Sequence, residues 1–164
     1  MKKLLILVIP FLTIFFISAC KQTNFEDEAL QIGKEYKEMQ YTIKDYENPP
    51  DITEKSKTYL TEDEYERTLA NRVFELITEA AVAQKISIEP EDIVFEKFDT
   101  ENEKDKIRLN YKMIIIGKEN SGEVRFRMKT KGQMTVIQTE DGIKISRDWD
   151  ESISQNELPK LHSE

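Results

Sequence analysis

The hydrophobic period of this chain changes once, at Pro90, from 3.6 residues to 2. Apolar residues recur at helical spacing before that point and alternate with polar ones after it. That order of elements confines the fold to α+β, helices first and an antiparallel sheet second.

In the helical half, Phe25, Ile32, Tyr36, Met39, Ile43 and Tyr46 form one stripe, which predicts a helix of about six turns. Asn24 is its expected N-cap, and Glu26, Asp27 and Glu28 stand at its positive end. Asn48-Pro49-Pro50 stops it, because proline lacks a donor and disfavours helical backbone in the residue before it. A short turn around Glu54 to Tyr59 fits next. Thr61-Glu62-Asp63-Glu64 then reads as a capping box. The stripe Tyr65, Leu69, Val73, Leu76, Ile77, Ala80 and Ala83 or Gln84 predicts a single second helix, closed by Lys85 to Pro90.

In the strand half, Ile93 to Phe98 predicts a short strand and Ile107, Leu109, Tyr111, Met113 and Ile115 a long one. Gly117 to Gly122 is a hairpin turn. Alternation then runs in one phase through Val124, Phe126, Met128, Thr130, Gly132, Met134 and Val136. It predicts one long strand bent at Gly132, where a side chain would obstruct; the alternative is two strands with a turn at Lys131-Gly132. Glu140-Asp141-Gly142 is a second hairpin signal, leading into Ile143, Ile145, Arg147 and Trp149 on one expected face. From Asp150 the chain is polar and is expected to be a disordered tail.

The first twenty residues have a different logic. Lys2 and Lys3 precede an apolar run from Leu4 to Ile17, and Ile17-Ser18-Ala19-Cys20 ends it with small residues and the only cysteine. The run is shorter than the roughly 20 residues that cross a bilayer and contains Pro10, so it reads as a cleaved export signal. The tetrapeptide resembles the lipobox of bacterial lipoproteins. That resemblance implies cleavage before Cys20, a diacylglycerol on its thiol, and a lipid anchor on the outer face of the cytoplasmic membrane. A plain secretory signal, which would leave an unpaired thiol, and an uncleaved anchor are the alternatives. The expected organisation is signal peptide 1–19, lipidated cysteine and tether 20–24, one α+β domain 25–149 and tail 150–164.

Without residues 1–19 the chain has 22 basic and 32 acidic residues, a formal charge of −10. Such a chain is expected to be repelled by phosphates, which argues against nucleic acid and against direct adsorption to anionic lipid headgroups. With Cys20 acylated, neither disulfides nor thiolate metal sites remain.

Two helices followed by a bent meander, whose last hairpin carries Gly132, Val136, Asp141, Gly142, Lys144 and Ile145, resemble the nuclear-transport-factor-2-like fold, a neighbour of the cystatin-like group. Asn48-Pro49-Pro50-Asp51-Ile52, Ala70-Asn71-Arg72-Val73-Phe74, Lys131 to Val136 and Ile145 to Trp149 resemble segments of lipoproteins from low-GC Gram-positive bacteria. The resemblance implies two main helices on a cone-like sheet. It implies no particular reaction, since that fold hosts isomerases, dehydratases and non-catalytic scaffolds.

The apolar sheet face offers chemistry only at Tyr111 and Arg147, with Trp149 as an aromatic lip, so these three form the candidate ligand site at the mouth of the cone. They make no catalytic pair. His162 is a lone histidine in the tail. Asp99, Glu101, Glu103 and Asp105 alternate like calcium ligands but lack the glycine bend and the bidentate glutamate. No phosphate loop, nucleophile elbow or zinc-binding helix occurs, and no catalytic residue, metal or cofactor is expected. The leading expectation is a non-catalytic, lipid-anchored domain binding a protein or small apolar ligand through its concave sheet or rim. The alternatives are a small isomerase- or hydrolase-like enzyme with a pocket around Tyr111 and Arg147, and a structural part of a surface or secretion assembly.

Overall fold

The computed structural model describes residues 25–98 and 105–151. The export signal with Cys20, the Asn24 cap, residues 99–104 with Asp99, Glu101 and Glu103, and the tail from 152, with His162, lie outside the described residues. Four helices, α1 (Phe25–Tyr41), α2 (Ile52–Ser56), α3 (Glu62–Ala70) and α4 (Val73–Gln84), precede four strands. These are β1 (Ser87–Lys97), β2 (Lys106–Lys118), β3 (Val124–Thr139) and β4 (Gly142–Asp150). They form one open antiparallel meander in the order β1-β2-β3-β4.

Helix α1 lies against the sheet. It buries Ala29, Gly33, Tyr36, Lys37, Gln40 and Tyr41, positions three and four apart on one face. Gly33 allows the close approach, since a Cβ there would stand 3.1 Å from Met134 and from the Phe95 ring. The opposing sheet face is Ile107, Leu109, Tyr111, Met113 and Ile115 of β2 with Thr130, Gly132, Met134 and Val136 of β3, all buried. Phe126, expected in the core, is only partly buried and packs at the cluster's margin. Among the described residues, the buried members of the core cluster run from Ala29 to Ile145.

The helical half departs from its sequence pattern in three ways. First, α1 stops at Tyr41, short of the proline pair, because Ile43 leaves the helix to exchange two 2.8 Å backbone hydrogen bonds with Ile88. Second, the expected turn near Glu54 is a short helix, α2, whose N-cap Asp51 accepts the Glu54 N–H. Third, the expected second helix is two helices. Arg72 adopts left-handed backbone at φ 56° between them, and its guanidinium bonds Glu75 and Glu79 of the next turns. The break lets α3 bury Glu64 and Thr68 while α4 buries Phe74, Ile77, Ala80 and Ala81. Leu69, on the expected stripe, is exposed.

The sheet is longer than its alternation suggested. Strand β1 starts at Ser87 and runs through Pro90, which an edge strand tolerates because one side needs no ladder donor. β3 is continuous through Gly132, and its pairing with β2 is regular there, without a bulge. β4 continues to Asp150, and the Glu151 N–H bonds the Lys131 carbonyl at 2.9 Å. The first residue of the expected tail is therefore a strand residue, and the second is hydrogen-bonded to the sheet.

One irregularity decides what the site contains. Val136 pairs with Ile145 but Thr135 pairs with Arg147, so β4 carries one extra residue at Ser146. Such a bulge reverses the alternation beyond it. Ile145 points inward; after the bulge Asp148 and Asp150 point inward, while Arg147 and Trp149 are exposed.

Candidate functional site

The interior between α1, the middle of β2 and the end of β4 is polar, although the sheet face around it is largely apolar. Lys37 is fully buried, and its Nζ donates to Asp148 Oδ2 at 2.6 Å and to Gln40 Oε1 at 2.9 Å, with Asp150 Oδ2 at 3.5 Å. Three tyrosine rings enclose the ammonium: Tyr111 at 4.5 Å from the ring centre, Tyr36 at 5.5 Å and Tyr41 at 5.6 Å. Desolvated cation–π contacts of this kind are each worth about 2 kcal/mol. The Tyr41 hydroxyl donates to Asp150 Oδ2 at 2.6 Å. The Tyr111 hydroxyl lies 3.1 Å from Asp148 Oδ1 and 3.2 Å from the Trp149 carbonyl.

Glu64 extends this network from α3. The Thr61 side chain caps α3 as expected, but Glu64 does not close the box, because the Thr61 N–H is already bonded to the Ile145 carbonyl at 3.0 Å. Glu64 Oε1 instead accepts the Asp148 backbone N–H at 2.8 Å, and Oε2 faces the Arg67 guanidinium. α3 is thereby fastened to β4 directly beyond the bulge.

Burial raises the Asp148 carboxyl above the ordinary aspartate range, with the neighbouring Asp150 charge adding to it and Lys37 opposing. Burial, reinforced by the same two carboxylates, also holds the Tyr36, Tyr41 and Tyr111 hydroxyls far above their usual value, so they stay protonated donors. Asp148 with Tyr111 resembles an acid–base pair, yet both are wrapped by Lys37 and the tyrosines. A general base must reach the proton it takes. Here the polar atoms bond one another.

The structure separates the three residues expected to form the ligand site. Tyr111 faces inward and is buried, whereas Arg147 and Trp149 lie on the opposite, outer face. Tyr111 and Trp149 still meet through the Trp149 carbonyl. Both, with Val94, Lys112 and Gln133, also line an outer depression of about 330 Å³ whose lining does not include Arg147. The concave face expected to take a ligand is covered by α1.

The outer sheet face is the second candidate. β2 and β3 together carry eight lysines and arginines and no acidic residue, in a chain whose net charge is −8. The four helices carry twelve acidic residues against four basic ones. Positive charge is thus concentrated on the two central strands, beside an edge strand β1 that carries Glu89, Glu91, Asp92 and Glu96.

No helix among the described residues is long and apolar enough to cross a membrane, and no group of metal-ligating side chains occurs among them. No family model and no curated protein matches the chain. Its fold does match solved structures. A periplasmic fragment of TraM superposes with a TM-score of 0.62 at 8% identity, over 76% of this chain and 96% of that one. The periplasmic domain of DotI gives 0.61 at 15% identity, over 74% and 91%. An IcmL-like type IV secretion system protein from Legionella pneumophila gives 0.59 at 12% identity, over 77% and 92%. At these identities the likeness is one of fold.

Proposed function

We propose that this chain is a lipid-anchored domain on the outer face of the cytoplasmic membrane, serving as a non-catalytic structural component of a membrane-surface protein assembly. The observation that carries this reading is the closed interior. Lys37, Asp148, Asp150, Tyr41 and Tyr111 use their polar groups on each other, so the layer that would hold a substrate holds the fold together instead. What the domain offers to other molecules is its two oppositely charged surfaces. The fold shared with periplasmic domains of TraM and DotI and with an IcmL-like secretion protein supports an assembly role over ligand capture. The segment ending at Cys20 supports the anchor.

Photo-crosslinkers placed on the helical layer in living cells, at Glu38 and Val82, test the assembly role. Discrete adducts with a membrane protein at one position and not the other are expected. A chain that forms no adduct and migrates as a monomer in mild detergent would overturn it. Cys20→Ser tests the anchor separately: membrane association should be lost, and an unmodified Cys20 in membrane-extracted wild type would contradict the lipid.

A further inference from the structure

We infer that the outer sheet face is a docking surface for anionic phospholipid headgroups, so that the domain lies with its sheet on the bilayer and its acidic helices toward solution. The inference rests on the proposed lipid anchor for the domain's location, but its chemistry is in the sheet. Arg108, Lys112, Arg127, Lys129, Lys131 and Arg147 are all exposed on this face. Lys112 stands directly opposite Lys131 in the register, a cross-strand pairing of like charges that is unfavourable unless anions lie between or above them.

The acidic residues that answer this charge stand toward the rims. Lys112 meets Glu96 at 3.1 Å, Arg127 meets Glu91 at 3.4 Å and Lys131 meets Glu151 at 3.1 Å. These are exposed pairs, which hold weakly and exchange readily for another anion. Lys129 and Arg147 make no ion pair among the described residues. Large apolar side chains stand among the cations: Trp149 is 52% exposed, Phe98 50% and Val94 42%. Cations with an exposed tryptophan are the composition that settles at the headgroup level of a bilayer.

Position agrees with chemistry. Glu26, in the first turn of α1, pairs with Lys97 at the end of β1, and the next residue, Phe98, donates its N–H to Arg108. The chain from Cys20 to Phe25 spans at most about 17 Å. An anchor at Cys20 therefore holds this corner of the basic face at the membrane. The acidic residues of the helices lie in the other layer, and charges are screened over roughly 8 Å at physiological ionic strength; Glu89, Glu91 and Glu96 of the edge strand leave the two central strands with an excess of positive charge.

Trp149 is the only tryptophan, so its fluorescence reports on this face alone. The test uses residues 20–164 with Cys20→Ser, which contain every described residue but no acyl chain. It is mixed with vesicles of phosphatidylcholine or of phosphatidylcholine with phosphatidylglycerol. Sedimentation and a blue shift of Trp149 are expected with the anionic vesicles only. Both should vanish at about 0.5 M salt, where screening tightens to roughly 4 Å. Lys129→Glu with Lys131→Glu and Arg147→Glu should weaken binding at least about 10-fold with an unchanged melting temperature, whereas Lys34→Glu on α1 should leave it intact.

Equal binding to both vesicles, no binding to either, or a triple variant that binds like the parent would overturn the inference. So would a blue shift that grows with protein concentration in the absence of vesicles, which would assign the face to the acidic helices of a second copy. Because no anchor or partner is present, failure here leaves the crosslinking and lipidation results standing, and their failure leaves this one.

Discussion

Lys37 and Asp148 stand 111 positions apart, and the 2.6 Å contact between them fastens the helix that opens the described domain to the strand that closes it. Lys37 has no exposed side-chain surface and Asp148 only 8%. An ion pair in this setting contributes less to net stability than its geometry suggests, yet removing one member leaves the other unsolvated.

Lys37→Met is accordingly expected to destabilise the domain by about 3 to 5 kcal/mol, because Asp148 and Asp150 lose their shared cation. Combining it with Asp148→Asn and Asp150→Asn removes every charge from the cluster and should recover most of that loss. Urea denaturation of the single and triple variants measures both. A triple variant less stable than Lys37→Met would show that the hydrogen-bond geometry, not charge balance, dominates.

Asp148 also sets a pH dependence of unusual sign. Its carboxyl is raised in the folded state, so the folded protein holds this proton more tightly than the unfolded chain does. As pH climbs past about 4 the unfolded state ionises first. The contribution of this group then falls until the folded carboxyl ionises as well. The stability advantage of wild type over Asp148→Asn should therefore be largest in acid and shrink toward neutrality. Denaturant midpoints of the two proteins across that range decide it; an advantage that grows with pH would mean that Lys37 outweighs burial.

The sequence pattern was legible where contacts are local and misleading where they are not. Alternation in β2 and β3 follows from pleating alone, and both strands came out in the expected phase. The end of α1 depended on Ile88, 45 positions beyond Ile43, and the fate of Glu64 on a backbone amide 84 positions away. The bulge at Ser146 has no composition signal, and by reversing the last strand it exchanged Arg147 and Trp149 for Asp148 and Asp150 as inward residues. Two signals were present in the sequence. Lys37 sits on the buried face Ala29, Gly33, Tyr36, Gln40, where an unpaired lysine is untenable. The eight cations of β2 and β3 are visible strand by strand but vanish when charge is summed over the chain.

Gly132 offers the sharpest test of how tightly the polar cluster is built. A Cβ there would stand 2.2 Å from the Trp149 carbonyl oxygen and 2.4 Å from the Tyr111 hydroxyl, the two atoms that join β2 to β4 beneath it. Neither can yield easily, since one is backbone in a ladder and the other is bonded to Asp148. Gly132→Ala should cost about 3 kcal/mol, at the upper end of overpacking. Gly117 faces an equally near neighbour, 2.3 Å away, but that neighbour is the partly buried Phe126 ring, which can rotate aside, so Gly117→Ala should cost less. Gly142 has open space around it and φ of 106°, so its substitution strains the turn alone, at about 1 kcal/mol. Thermal melts of the three alanine variants should rank Gly132 well below the others in stability. Equal melting temperatures for Gly132→Ala and Gly142→Ala would show that the Tyr111 hydroxyl is free to leave its site.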